Sequence, residues 1–293
     1  SPEYFIDRYR MTGTFKAACV QVNAQNDMRA NVRVACDLIR DAASAGAEFI
    51  SLPENVAFMG LNSKETRAAA HLQADHPALQ AFRDVARETG VWLLAGSLGI
   101  RLDNDKLANR SCFIGPDGQV RTHYDKIHMF DVDLPNGERY RESDRFNAGE
   151  AAINTETPWG TLGMTICYDV RFPHLYRALA HGGAQLITVP AAFTRVTGEA
   201  HWHVLLQARA IETGSFVFAA AQCGEHPGKR QTFGHSVIID PWGKVLADAG
   251  TEPGFIIADI DMAHVTSARA MVPSLQHDRD YSLPPAVSKE SAA

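Results

Sequence analysis

GAEFISLP (residues 46–53) and GAQLITVP (residues 183–190) decide the reading of this chain, because the second echoes the first position by position. Each is a short apolar run entered through glycine and closed by proline, as expected of a strand buried on both faces. The flanks repeat in the same order. Before the first echo stand a strand, FKAACVQV (15–22), and a helix capped by Asn26 or Asp27, with Met28, Val32, Ala35, Ile39 and Ala42 on one face and Gly46 as its stop. After it come a helix from Asp75 to Thr89 ended by Gly90, a strand VWLLAGSLGI (91–100) and a hairpin SCFIGPDGQVRTHY (111–124) turning on Pro-Asp-Gly.

Around the second echo the pattern recurs. TLGMTIC (161–167) is a strand, FPHLYRALAHGG (172–183) a helix, residues 199–213 a helix, GSFVFAAAQ (214–222) a strand, and HSVIIDPWGKV (235–245) a hairpin on Pro-Trp-Gly. FIIADID (255–261) adds a strand, residues 262–281 are polar with a few apolar anchors, and 282–293 make a C-terminal tail. A repeated strand–helix order favours duplication with a period too long for a solenoid. Two half-sheets, each carrying helices, bury their apolar faces best against each other. The expected fold is therefore an α/β, four-layer α-β-β-α sandwich with an internal pseudo-two-fold repeat. A doubly wound single sheet is the alternative.

Composition narrows the function classes. With 45% hydrophobic residues, 21% charged and a net charge of -6, the chain has ample core and no basic stripe for phosphates, which argues against nucleic acid. No apolar run approaches the roughly 20 residues that span a bilayer. Cys19, Cys36, Cys112, Cys167 and Cys223 are dispersed without CxxC spacing, which suits a reducing, cytoplasmic setting. Ser1 and the internal Met11 suggest that residues 1–10 are a remnant ahead of the natural start, or disordered.

Three segments carry chemistry. Cys167 ends a strand just before a helix signal in GMTICYDVRFP, where neighbouring amides favour a thiolate. One strand cysteine taken alone packs like valine. Glu54, read as the equivalent strand end of the other half, places an acid where a structural strand rarely has one, although a cap or surface charge is an equal reading of it alone. Lys126 in YDKIHMFDVD (124–133) is flanked by Tyr124, Ile127, Met129 and Phe130, so its charge is expected in a cleft with an anionic partner rather than free in solvent.

PEN with Glu54, YDKIHMFD with Lys126 and ICYDVRFP with Cys167 together resemble the nitrilase superfamily of carbon-nitrogen hydrolases, over about residues 14 to 281 as a single domain. The resemblance implies Cys167 as nucleophile, Glu54 as general base and Lys126, with the Tyr168 backbone N–H, as oxyanion donor. It implies a second glutamate, best matched by Glu142 in RYRESDRF, with Glu138 in the same loop. No cofactor and no metal are required. AFTRVTGEAHWHVLLQARAIET (192–213), AAAQCG (219–224), KRQTFGHS (229–236) and DPWG (240–243) are similar to the branch of amidases that hydrolyse deaminated glutathione. The ω-amidases of 2-oxoglutaramate share fewer of these segments. His-Trp-His (201–203) departs from the usual His-Trp-Glu of relatives and bears on the substrate.

Arg171 is either a bidentate clamp for a substrate carboxylate or an ion-pair partner of Asp169. His201 and His203 lack a third ligand at recognisable spacing, so packing or loop hydrogen bonding is preferred. The expected partners are a small-molecule amide and a second copy of the chain, as a homodimer or higher homo-oligomer. Nitrile or N-carbamoyl hydrolysis and acyl transfer are the other activities of the same scaffold. A non-catalytic relative would have no reason to keep all three residues, and no HxHxDH or HExxH cluster supports a metal hydrolase.

Overall fold

The computed structural model describes residues 13–104 and 106–285. The expectations for residues 1–10 and for most of the tail therefore lie outside the described residues. In chain order the first half forms β1 (Thr14–Gln21), α1 (Met28–Ser44), β2 (Phe49–Ser51), α2 (Ser63–Ala69), α3 (Pro77–Thr89), β3 (Trp92–Leu94), β4 (Leu98–Arg101), β5 (Leu107–Ile114), β6 (Val120–Asp125), β7 (Asp131–Asp133), β8 (Arg139–Arg141) and β9 (Phe146–Asn147). The second half forms β10 (Ile153–Thr157), β11 (Gly160–Met164), α4 (Pro173–His181), β12 (Leu186–Thr188), α5 (Arg195–Thr213), β13 (Phe216–Ala219), β14 (Cys223–Glu225), β15 (Gln231–Phe233), β16 (Val237–Ile239), β17 (Val245–Asp248), β18 (Gly254–Asp261) and α6 (Ala263–Met271).

Local chemistry accounts for the helices. Asp27 caps α1 by accepting from the Ala30 N–H, and the face Ala35, Ile39, Ala42 is buried. In α3, Pro77 opens the first turn, while Gly90 closes the helix in the left-handed region at φ 71°. Alternation along β1 then assigns the layers. Phe15, Ala17 and Cys19 belong to the core between the sheets, and Ala18 and Val20 to the core under α1 and α3.

The larger sheet runs β18-β1-β2-β3-β5-β4, with β6 and β9 also paired to β5; the smaller runs β10-β11-β12-β13-β16-β17. They meet face to face. Phe49 of β2 packs edge-on against Phe218 of β13 at 5.4 Å, and Phe15 of β1 stacks on Trp159 at 4.0 Å. With α1 and α3 outside one sheet and α4 and α5 outside the other, the molecule is a four-layer α-β-β-α sandwich. A doubly wound single sheet is excluded, because the two ladders are separate.

Five details differ from the sequence expectations or add to them. The run 91–100 is two strands, β3 and β4, broken at Gly96, whose φ of 57° bends the chain out of the sheet. Helix α5 begins at Arg195 rather than 199, and the polar stretch after 261 contains α6. Strand β18 crosses back to pair antiparallel with β1 in the first sheet. Finally, Glu54 and Cys167 are not equivalent. Ser51 and Thr188 hold matching places beside Cys19 and Met164, so the counterpart of Glu54 is Ala191 and that of Cys167 is Val22. The duplication is real in the fold, but the two candidate catalytic groups sit on different strands of it.

Candidate active site

Cys167 opens a short 3-10 turn, Cys167–Arg171, directly after β11, at a φ of 47° that is costly for a residue with a side chain. Two attachments hold it there. Its N–H donates to the Pro190 carbonyl at 2.9 Å, tying it to the end of the second echo. Asp169, fully buried, accepts from the Ile166 N–H at 2.8 Å and the Tyr124 hydroxyl at 2.7 Å through one oxygen. The other oxygen accepts from the His128 N–H at 3.1 Å and lies 2.7 Å from His128 Nδ1. One carboxylate thus fastens the cysteine turn to the segment that carries Lys126.

Glu54 is positioned by an equally tight approach. A Cβ at Gly96 would lie 2.0 Å from the Pro53 carbonyl oxygen, so only glycine lets β3 exit beneath the Pro53–Glu54 corner. Ser97 locks that corner, its N–H donating to Pro53 O at 3.2 Å and its Oγ accepting from the Asn55 N–H at 3.0 Å. Glu54 Oε2 accepts from the Ala192 N–H at 2.8 Å, and Oε1 from Lys126 Nζ at 2.8 Å and Asn109 Nδ2 at 2.9 Å.

Lys126 is only 2% exposed and lies between two carboxylates. Besides Glu54, its Nζ donates to Glu142 Oε2 at 2.9 Å and Oε1 at 3.1 Å. The Phe130 N–H, at 2.7 Å from Oε2, and Asn109 Nδ2, at 3.1 Å from Oε1, complete the cradle around Glu142. Glu138, the other glutamate of that loop, turns outward to Asn136 and the Tyr140 hydroxyl.

Burial and charge set the protonation states. Burial alone would raise Glu54, but the charge and hydrogen bond of Lys126, the Cys167 thiol and the Ala192 N–H together hold it below the ordinary carboxylate range. Burial would lower Lys126, yet Glu142 and Glu54 push it far above its usual value, so it is cationic. Burial and the Glu54 charge push the Cys167 thiol well up, outweighing Lys126 and the Ala192 amide. The expectation of a favoured thiolate is thereby corrected. Burial first, and then the Glu54 charge, outweigh the amides that the sequence reading expected to favour a thiolate.

A cleft opens onto these groups, walled by Phe130, Tyr140, Tyr168, Phe193, Arg145 and Arg230 among others. Arg171 is not among the residues that line it. Its guanidinium sits over the Phe193 ring at 5.3 Å and 3.3 Å from His201 Nδ1. The alternative partner, Asp169, is taken up by Tyr124, Ile166 and His128 instead. His203 Nε2 meets Asp248 Oδ2 at 2.7 Å, and His235 Nδ1 meets Asp248 Oδ1 at 2.8 Å. This trio, whose ligand atoms lie within 4.8 Å of one another, is the group among the described residues best suited to a metal. Of the two histidines read from the sequence only His203 belongs to this trio, while His201 lies against Arg171; His235 and Asp248 stand 32 and 45 positions beyond His203, outside any recognisable ligand spacing. None of the three lines the cleft.

Sequence reasoning missed Asn109, Asp169, Arg145 and Arg230. Asn109 had a signal, being an amide inside the otherwise apolar start of LANRSCFI. Asp169 sat within the quoted motif but was considered only as a partner for Arg171.

Known proteins share this arrangement's frame. Residues 16–270 match the family described as carbon-nitrogen hydrolase. A deaminated glutathione amidase of Synechocystis is 43% identical over 268 residues, covering 90% of this chain and 97% of that protein. Among solved structures, the NitFhit protein of C. elegans superposes with a TM-score of 0.86 at 40% identity over 92% of this chain. This chain spans 66% of that fusion protein. Nit3 of Saccharomyces cerevisiae, described as a member of branch 10 of the nitrilase superfamily, superposes with a TM-score of 0.81 at 28% identity, covering 89% of this chain and 94% of that one.

Proposed function

We propose that this chain, which belongs to the carbon-nitrogen hydrolase family, hydrolyses a linear amide through a thioester on Cys167, with deaminated glutathione as the substrate. The observation that carries the reading is the continuous buried chain Cys167–Glu54–Lys126–Glu142. In the first step sulfur attacks the amide carbon while its proton passes to Glu54. Lys126 and the Tyr168 N–H take up the charge that develops on oxygen. Glu54 returns the proton to the leaving nitrogen, the C–N bond breaks, and an amine departs. Water, its proton accepted by Glu54 and its position set by Glu142, then cleaves the thioester to acid and thiol. Asn109, bonded to both glutamates, holds their spacing.

The substrate follows from the relatives named above and from the segments shared with them. Cleavage of deaminated glutathione releases 2-oxoglutarate and cysteinylglycine. Arg171 is proposed to meet a substrate carboxylate over the edge of Phe193, whose ring both lines the cleft and carries the guanidinium. Residues 14–281 act as one catalytic domain. The five cysteines are free and buried, which suits a reducing cytoplasm. A homodimer is the proposed assembly. Ile211, Trp242, Met271 and Val272 are all more than half exposed, and Ile211, Trp242 and Val272 line one broad groove beside α5.

Intact-protein mass spectrometry during turnover tests the reading. Wild type incubated with deaminated glutathione should carry a 2-oxoglutaryl adduct and release cysteinylglycine. Cys167→Ala should do neither while melting normally. Turnover retained by Cys167→Ala would sink the thioester route, and preference for 2-oxoglutaramate would move the substrate to the ω-amidase class.

A further inference from the structure

Among the five ionisable side chains other than thiol and phenol that line the catalytic cleft, three are cations (Lys126, Arg145, Arg230) and two are carboxylates (Glu54, Glu142). Lys126 lies between both carboxylates, and no described carboxylate forms an ion pair with either arginine. The arginines are half-buried and so stand nearer solvent than the buried catalytic trio. Each rests on an aromatic ring: Arg230 over Tyr140 at 5.2 Å and Arg145 over Phe146 at 6.0 Å. Arg230 Nη2 donates to the Ala192 carbonyl at 3.1 Å, on the residue whose N–H holds Glu54, and its guanidinium also bonds the Tyr140 side chain, while Arg145 Nη1 reaches Ser63 Oγ at 3.5 Å. The Nε atoms of both arginines are buried and have no hydrogen-bond partner among the described residues.

Two like charges in one cleft wall repel, and burial makes that worse. Arg145 is lowered by burial first and by the charge of Arg230 next, with Glu142 and Asp144 opposing. An arrangement that costs stability and leaves donors unused, in the wall of a reaction cleft, fits a group that arrives with negative charge. The planar fork of arginine matches a carboxylate bidentately, and the Tyr140 and Phe146 rings lie within cation–π reach of the two guanidiniums.

We propose that Arg145 and Arg230 form a carboxylate-binding subsite in the cleft wall, so that the enzyme selects amides bearing an anionic group away from the scissile bond. This rests on the amidase reading above and deepens it. The carboxylate belongs either to the acyl half or to the leaving amine, and the recognition chemistry is the same for both.

The test measures kcat/KM for wild type, Arg230→Met, Arg145→Met and Arg230→Lys on three amides. These are deaminated glutathione, its C-terminal carboxamide, and a neutral amide of matched length. Loss of a bidentate contact should lower the ratio of kcat/KM for anionic over neutral amide roughly 10- to 100-fold in each Met variant, mostly through KM. Arg230→Lys should recover part of the ratio. A wild type that distinguishes deaminated glutathione from its carboxamide, with a variant that no longer does, assigns the subsite to the leaving amine; variants that lose both equally assign it to the acyl half. A ratio unchanged in all variants, with both substrates depressed alike, overturns the proposal, because Arg230 then only supports Ala192. In the Cys167→Ala background, calorimetric binding of deaminated glutathione should weaken by a similar factor with Arg230→Met. That arm separates the two ideas: selective binding without hydrolysis by wild type would refute the amidase reading alone, and hydrolysis without the selectivity change would refute the subsite alone.

Discussion

Burial and neighbouring charge set Cys167 and Glu54 in opposite directions, the thiol upward and the carboxylate downward. Burial and the Glu54 charge raise the thiol, and Lys126 with its hydrogen bonds lowers the carboxylate. The sign of one substitution follows. Glu54→Gln removes the negative charge beside sulfur, so the thiol's pKa falls and the iodoacetamide rate–pH profile moves to lower pH, while amide turnover disappears for want of a base. A profile that stays in place would show that Glu54 neither bonds nor charges the thiol. This pair was legible in part from local residue type, since an acid after Leu-Pro and a cysteine before Tyr-Asp are both out of place in apolar strands. Which oxygen faces which donor was not, because the Ala192 amide lies 138 positions from Glu54.

At the scale of elements, the site is made where strands stop. The turn after β11 carries Cys167, the corner after β2 carries Glu54, and the stretch after β6 carries Lys126. Each ending is enforced by a neighbour that a local pattern does not reveal. Apolar content ran without interruption through VWLLAGSLGI, yet Gly96 breaks it because the Pro53 corner needs the space. Gly96→Ala should then cost roughly 1–3 kcal/mol for the left-handed backbone alone, and more because Cβ meets the Pro53 carbonyl at 2.0 Å. It should also lower kcat by displacing Glu54. Gly90→Ala is the control: it too stands in the left-handed region, at φ 71°, but nothing lies within 4 Å of its added Cβ. That variant should melt earlier at unaltered kcat. Equal kcat losses in both would remove Gly96 from the positioning of the base.

Across the whole molecule, the two sheets bury their inner faces against each other through contacts such as Phe49 with Phe218, and this brings Glu54 of one half to Ala192 of the other. The candidate catalytic group is thus assembled from both repeats but is not itself repeated. Duplication supplied two strand-end positions of each kind, and only one of each carries a reactive side chain, Glu54 opposite Ala191 and Cys167 opposite Val22. The outer face next to α5 leaves Trp242 58% exposed and Ile211 58% exposed. Sedimentation of wild type should give the mass of a dimer. Ile211→Asp, which puts a charge into that groove, should shift it to monomer with an unchanged far-ultraviolet spectrum. A wild-type monomer would remove this face from the assembly.

Helices, most strands, their order and the internal echo were determined by the sequence itself, because periodicity, caps and turn residues act between positions a few residues apart. Glu54, Lys126 and Cys167 were singled out by their three motifs taken together, since each residue alone reads as well as packing, capping or surface charge. Tertiary structure alone decided that Glu142 and not Glu138 shares Lys126, and that Asp169 clamps the cysteine turn. It also decided that Arg145 and Arg230 face the cleft, and that the last strand joins the first sheet. The physical reason is that a charge acquires its partner and its local dielectric only when distant segments meet. Lys126 and Glu54 are 72 positions apart and 2.8 Å from each other, and nothing along the chain between them records that distance.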